Sequence, residues 1–103
     1  MNEQRKSRRF DLSLPVELLC NGSRKLLENG ETKNLSSSGV LFSSAAALEP
    51  GDILEYMITL PSPSQNIQVR LRCKGKVVRR ITGEAAATLD RWEFVRDAMP
   101  KPV

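Results

Sequence analysis

The chain of 103 residues contains no histidine, so the commonest general base and metal ligand of proteins is missing. It also lacks the G-K-[ST] sequence of a phosphate-binding Walker loop and any paired carboxylates at a spacing suited to acid–base catalysis. The serines at 36–38 have no candidate base near them in the sequence. We therefore expect a protein that is not an enzyme and that holds no metal ion and no cofactor.

Long apolar segments are also missing. No apolar run approaches the roughly 18 residues that a membrane span needs, and the basic N-terminus leads into an alternating stretch rather than the apolar segment of a signal peptide. The only cysteines, Cys20 and Cys73, each lie in an apolar alternation, which is typical of buried, reduced thiols. These features predict a cytoplasmic protein without a membrane span.

The positive charge is concentrated at one end of the chain. Sixteen basic residues against 12 acidic ones give a net charge of +4. Residues 1–9 contribute +3 of this, because Glu3 stands against Arg5, Lys6, Arg8 and Arg9. Such an arm attracts an anionic partner that it meets locally. A solvated basic tail, which is common at termini, is the alternative interpretation of the arm taken alone.

A period of two dominates the hydrophobic pattern and predicts strands almost throughout. We expect six, which begin near Leu14, Glu31, Val40, Leu54, Ile67 and Ala85, the last running to Val95 with a kink near Asp90. Gly75 interrupts the fifth alternation, and Val77 and Val78 continue it with uncertain parity, as a β-bulge would produce. Because helical periodicity is nearly absent, the prediction is an all-β fold, a six-stranded antiparallel (split) β-barrel.

The same pattern suggests three regions. They are a basic N-terminal arm (1–12), the barrel (13–96) and a C-terminal tail (97–103). Two prolines, Pro100 and Pro102, fall within the tail, so that we expect at most a short C-terminal helical stub. The sequence leaves the oligomeric state as a monomer or a weak dimer.

Two short motifs carry the functional signal. Arg5 and Arg9 form R-x-x-x-R, and residues 34–39 form N-x-S-x-x-G through Asn34, Ser36 and Gly39. Guanidinium groups can engage a phosphate, or O6 and N7 of guanine, with two hydrogen bonds. An asparagine side chain can bond to a guanine edge, and Gly39 would permit either a positive φ or the close approach of a ligand. Each motif is weak by itself, and the pair is more specific.

Together with the segments that follow them, these motifs resemble the PilZ domain family. The further segments are Leu14–Glu17, Gly39–Phe42, Pro50–Asp52, Gly75–Arg79 and Ala85–Val95. The resemblance implies a bacterial receptor for the second messenger cyclic di-GMP. It further implies that Arg5, Arg9, Asn34, Ser36 and Gly39 bind the ligand, with Lys6, Arg8 and Arg79 as secondary contacts. An arm that closes over the ligand and signals to an effector protein would complete the mechanism.

Two other hypotheses remain open at this stage. A small barrel that binds single-stranded nucleic acid would explain a second basic stretch, since residues 70–80 contain six cations and no acid. Such proteins usually add aromatic stacking platforms, and the five aromatic residues here are scattered and lie mostly in apolar alternation. A degenerate PilZ domain that acts only through protein partners is the other hypothesis.

Overall fold

The chain folds into seven antiparallel strands in the computed structural model, which describes residues 10–61 and 67–98. The strands are β1 (Pro15–Asn21), β2 (Arg24–Leu35), β3 (Gly39–Ser43), β4 (Ile53–Leu60), β5 (Ile67–Ile81), β6 (Glu84–Thr88) and β7 (Arg91–Ala98). They pair in the order β4-β1-β2-β3-β6-β5-β7, and β4 also pairs with β5. Six strands therefore close into a barrel, with β7 outside it, which confirms the all-β, six-stranded antiparallel prediction.

Two strands differ from their predicted bounds. β2 begins at Arg24 rather than near Glu31; the pattern did not predict its first half because that half alternates poorly and buries only Leu26. The expected last strand is divided at Leu89 and Asp90 into β6 and β7, close to the predicted kink. Both halves pair with the same long β5, β6 with its C-terminal part and β7 with its N-terminal part. The predicted bulge in β5 is confirmed by a register shift between Val77 and Arg79.

The barrel core follows directly from the period-two pattern. Each strand that closes the barrel turns alternate apolar side chains inward, and the largest fully buried ones are Tyr56, Phe42, Leu18, Leu54 and Ile58. The rings of Phe42 and Tyr56 stack across the core with their centroids 6.1 Å apart. Each such side chain contributes about 1.5–3 kcal/mol when it is fully removed from water, so these residues supply much of the folding free energy.

A buried threonine fastens the segment before β1 to β2. Thr32 donates its hydroxyl hydrogen to the carbonyl of Leu12 and accepts a hydrogen bond from the Leu14 amide at 2.8 Å. Further along, Phe10 and Leu35 exchange two backbone hydrogen bonds of 2.8 and 2.9 Å. Residues 10–14 thus run antiparallel to the end of β2. The segment that continues from the basic arm is therefore held against the strand that carries Asn34.

The corner between β6 and β7 is tightly packed. Thr88 is at its centre: its carbonyl accepts a 2.9 Å hydrogen bond from the hydroxyl of buried Tyr56, and its own hydroxyl accepts one of 2.8 Å from the Lys76 amide. The Asp90 amide donates to the carbonyl of Lys74 at 2.9 Å. These bonds fix the point at which the chain leaves the barrel wall and starts β7.

No helix within residues 10–61 and 67–98 has the length and apolar character needed to cross a membrane.

Candidate functional site

The N-x-S-x-x-G segment forms the end of β2 and the turn into β3. Asn34, near the end of β2, is half-buried, and its amide nitrogen donates a 2.9 Å hydrogen bond to the carboxylate of Asp11. Its amide oxygen has no hydrogen-bond partner among the described residues. That oxygen is an acceptor, suited to the N–H groups on the Watson–Crick edge of a guanine.

Ser36 organises the turn itself. Its hydroxyl oxygen accepts hydrogen bonds from the backbone amides of Ser38 and Gly39, at 3.3 and 3.2 Å, and lies 3.2 Å from the Ser38 hydroxyl. The Ser36 amide also donates to the carbonyl of Gly39 at 2.9 Å, which closes the turn. The side chain thus replaces backbone partners that a turn of this kind lacks. Its geometric contribution is to hold the turn next to Asn34.

Gly39 is required for a reason other than a left-handed backbone. Its φ is not positive, so that alternative from the sequence is wrong. A Cβ atom on Gly39 would lie 2.9 Å from the carbonyl oxygen of Ala87 on β6, which real side chains essentially never tolerate. The glycine therefore allows β3 and β6 to approach closely where the turn enters the barrel wall. Close approach of a ligand, the other alternative, remains a prediction.

Arg79 lies on the same outer face of the barrel as Asn34 but at some distance. The strand register connects them in one row, Asn34 to Leu41, Leu41 to Ala86 and Ala86 to Arg79. Residues paired in this way point to the same face of a sheet, and neighbouring strands lie about 4.8 Å apart, so Arg79 is about 14 Å from Asn34. A ligand that touches both must extend across Leu41 and Ala86.

The four basic residues predicted to bind the ligand from the arm, Arg5, Lys6, Arg8 and Arg9, lie outside the described residues. The described chain starts at Phe10, which directly follows Arg9 in the sequence and is bonded to Leu35 at the end of β2. Asp11, the next residue, bonds to Asn34. The attachment point of the arm and the N-x-S-x-x-G turn therefore meet at one end of the barrel, although 29 residues separate Arg5 from Asn34 in the sequence.

The titratable groups with shifted pKa values have structural explanations. Burial raises the pKa of the Cys73 thiol to about 12, so this thiol stays protonated and a poor nucleophile at neutral pH. Burial likewise raises the pKa of Tyr56. Hydrogen bonds from the Glu49 amide and the Asn21 side chain lower the pKa of Asp52, which caps a turn.

Both cysteines are free, Cys73 buried and Cys20 half-buried. Within residues 10–61 and 67–98, no group of three or more His, Cys, Asp or Glu residues could hold a metal ion.

The comparison with protein families agrees with this geometry. The model of the PilZ domain matches residues 3–96, and so includes both motifs and every strand of the barrel. The chain belongs to the PilZ domain family. The match covers nearly the whole chain, including residues 3–9 of the basic arm. No curated protein matches the chain.

Sequence reasoning missed part of the surroundings of this site. Asp11 is the hydrogen-bond partner of Asn34, and Phe10, Trp92 and Phe94 are exposed near the turn, with exposed fractions of 49%, 54% and 64%. Most of the aromatic residues lie in apolar alternation, but among them only Phe42 and Tyr56 are fully buried. The spacing of Trp92 and Phe94 correctly places them on one face of a strand. It does not reveal that the face is open.

Proposed function

We propose that this PilZ domain is a cytoplasmic bacterial receptor for cyclic di-GMP and has no enzymatic activity. Membership of the family implies the receptor role. The observation that best supports it in this chain is the hydrogen bond between Asp11 and Asn34. That contact joins the root of the basic arm to the N-x-S-x-x-G segment, so a ligand with two guanines and two phosphates can meet both motifs at one end of the barrel.

Each motif residue has a chemical role in this proposal. Arg5 and Arg9 form paired hydrogen bonds with phosphate or guanine, and Lys6 and Arg8 add contacts or raise the local positive potential. The amide oxygen of Asn34, which has no partner within residues 10–61 and 67–98, accepts from a guanine edge. Ser36 presents the turn in a fixed conformation through its bonds to Ser38 and Gly39. Arg79 contacts the ligand only where the ligand spans the outer face of β3 and β6.

The first prediction is selective binding of cyclic di-GMP by the purified protein. Isothermal titration calorimetry should show saturable binding, tighter than that of GTP, GMP or cyclic di-AMP, because only cyclic di-GMP presents two guanines and two phosphates to the two motifs. Absence of saturable binding at high micromolar ligand would refute the proposal. Binding of an unrelated RNA oligomer instead, with affinity that falls steeply as salt rises, would favour a nucleic-acid-binding function.

The second prediction concerns signalling by ordering of the arm, which then presents a changed surface to an effector protein. Fixing a residue's backbone costs about 1–2 kcal/mol, so contacts to Arg5 and Arg9 must offset this cost. Backbone NMR order parameters of residues 5–9 should therefore rise when cyclic di-GMP is added. Those of residues 10–14, which Thr32 and Leu35 already hold by hydrogen bonds, should stay level.

The residues of β5 from Ile67 to Cys73 provide the rigid reference for that experiment, because they pair with strands on both sides. High order parameters for residues 5–9 in the ligand-free protein would contradict the ordering mechanism and leave a preformed site. A degenerate domain that acts only through protein partners would show unchanged order parameters and no calorimetric signal.

One observation also favours single-stranded nucleic acid as a second candidate. The exposed rings of Trp92 and Phe94 form an edge-to-face pair with centroids 5.4 Å apart, and Arg91 and Arg96 are exposed on the same strand. Stacking rings next to cations are typical of proteins that bind single strands. Within the predicted basic stretch, residues 70–80, Arg72 supports this function less, because it forms a 3.3 Å ion pair with Glu55.

A further inference from the structure

An apolar groove runs along the side of β7 that faces the Ser36–Ser38 turn. We call it the Trp92 groove. Its volume is about 290 Å³, and its rim includes Ser36 and Ser37. Leucine side chains from the barrel form its base, and aromatic rings form its walls; the residues are Leu35, Leu60, Leu71, Phe10, Trp92 and Phe94.

The groove exists because β7 lies outside the barrel. In the register of β5 and β7, Trp92 pairs with Cys73 and Phe94 pairs with Leu71. Paired residues share a face, so both rings point to the side on which Cys73 and Leu71 are buried in the barrel core. Within the described residues, β7 pairs only with β5, so the rings have no opposing strand and remain more than half exposed. Contiguous exposed aromatic surface of this kind is typical of a binding site.

The groove is continuous with the site proposed above. Ser36 belongs to the N-x-S-x-x-G turn and also lies at the rim of the groove. Phe10, one aromatic wall, is the residue at which the basic arm joins the barrel, and the next residue, Asp11, bonds to Asn34. A ligand bound at the N-x-S-x-x-G turn therefore reaches the groove without a change in the fold.

The chemistry of the groove selects one part of such a ligand. Its aromatic walls suit the flat face of a base, whereas its apolar base offers nothing to a phosphate. Its volume is at the lower limit of pockets for drug-sized molecules, so that it accommodates one base rather than a whole dinucleotide. We infer that one guanine base of cyclic di-GMP stacks on the indole ring of Trp92, while the phosphates remain outside with the arginines. This inference rests on the proposed function and adds a residue of β7 to it.

Trp92 is the single tryptophan of the chain, so any change in tryptophan fluorescence comes from this residue. Titration with cyclic di-GMP should quench this fluorescence and reduce its sensitivity to iodide, with the same midpoint as calorimetry of the same samples. If calorimetry shows binding and the fluorescence does not change, the inference is wrong and the receptor function stands. If neither method shows binding, the receptor function itself is wrong. A fluorescence change that depends on protein concentration without ligand would overturn the inference in favour of self-association.

Variants of Trp92 and a control variant distinguish the loss of base stacking from a general effect of removing a large exposed side chain. Trp92→Ala should raise the calorimetric dissociation constant about tenfold or more, the lower range of a base-stacking contribution. Trp92→Phe, which keeps an aromatic face, should raise it less than about threefold. The matched control is Leu27→Ala, which removes a large side chain that is 82% exposed on β2. Leu27 is eight residues, or about 26 Å, from the groove residue Leu35 along β2. Equal affinities of the Trp92→Ala and Leu27→Ala proteins would overturn the inference.

Discussion

Replacement of both Arg5 and Arg9 by alanine should raise the dissociation constant for cyclic di-GMP more than about 100-fold. A hydrogen bond to a charged group contributes about 1.5–3 kcal/mol, so each single replacement should cost at least about 1.5 kcal/mol, roughly tenfold in affinity. Because residues 1–9 contain no apolar residue beyond Met1 that could anchor them in the core, the replacements should leave the thermal unfolding midpoint unchanged. Calorimetry of the two single variants and the double variant, with a thermal melt of each, measures both quantities.

Two further variants identify the source of that loss. Arg24→Ala removes the same charge from an exposed position at the start of β2, at the opposite end of that strand from Asn34, and should bind almost as tightly as the parent protein. Ser36→Ala should cost less than either arm arginine, about 1 kcal/mol, because its hydrogen bonds are between neutral groups. If both single arginine variants bound like the parent, the assignment of the arm residues would be wrong. If Arg24→Ala lost as much as they did, net charge alone would explain the effect.

Gly75→Ala should destabilise the fold by about 3 kcal/mol, the upper range for overpacking in a core. Gly75 is buried on β5, and a Cβ atom there would lie 1.7 Å from the carbonyl oxygen of Thr88. That carbonyl cannot move freely, because Tyr56 donates a hydrogen bond to it. Alanine in place of glycine commonly stabilises a protein by about 0.4–1 kcal/mol through the unfolded chain, and the backbone clash should outweigh this gain. Urea unfolding measures the difference.

Gly22→Ala is the matched control for this substitution. Gly22 has a φ of 62°, and a Cβ there would meet nothing within 4 Å, so alanine should cost only the left-handed conformation, about 1 kcal/mol. A Gly75→Ala protein as stable as the Gly22→Ala protein would show that β5 and the corner at Thr88 do not pack as closely as described.

The pattern of the sequence predicts most of the barrel because its strands obey a simple rule. Alternation in residues 14–20, 54–60 and 67–73 predicts that one side chain in two faces the core, and all of these residues except Leu14 lie in β1, β4 and β5. Alternation fails in the first half of β2, where Leu26 and Leu27 are adjacent and several polar residues follow. Residues 24–31 form a strand because β1 pairs with them, which is a property of the neighbouring strand and not of their own composition.

Some features of the candidate site can likewise be predicted from the sequence, and others depend on the fold. The motifs and the charge of the arm are readable from the sequence, because guanidinium and amide groups have the same chemistry wherever the chain puts them. The hydrogen bond from Asn34 to Asp11 is not readable, because it depends on the path of residues 10–14 beside β2. The reason for Gly39 is likewise tertiary, since the clash that it avoids is with β6.

The aromatic residues show most clearly what the sequence determines and what the tertiary structure determines. Phe42 and Tyr56 occur in alternating strands, β3 and β4, as Trp92 and Phe94 do in β7, so the sequence by itself determines which side chains of the same strand share a face with each ring. Only the tertiary structure decides that the first pair is fully buried and the second is more than half exposed. The physical reason is that burial requires a second layer opposite the side chain. The closed barrel supplies that layer to β3 and β4, whereas β7 lies outside the closure and keeps its aromatic face exposed.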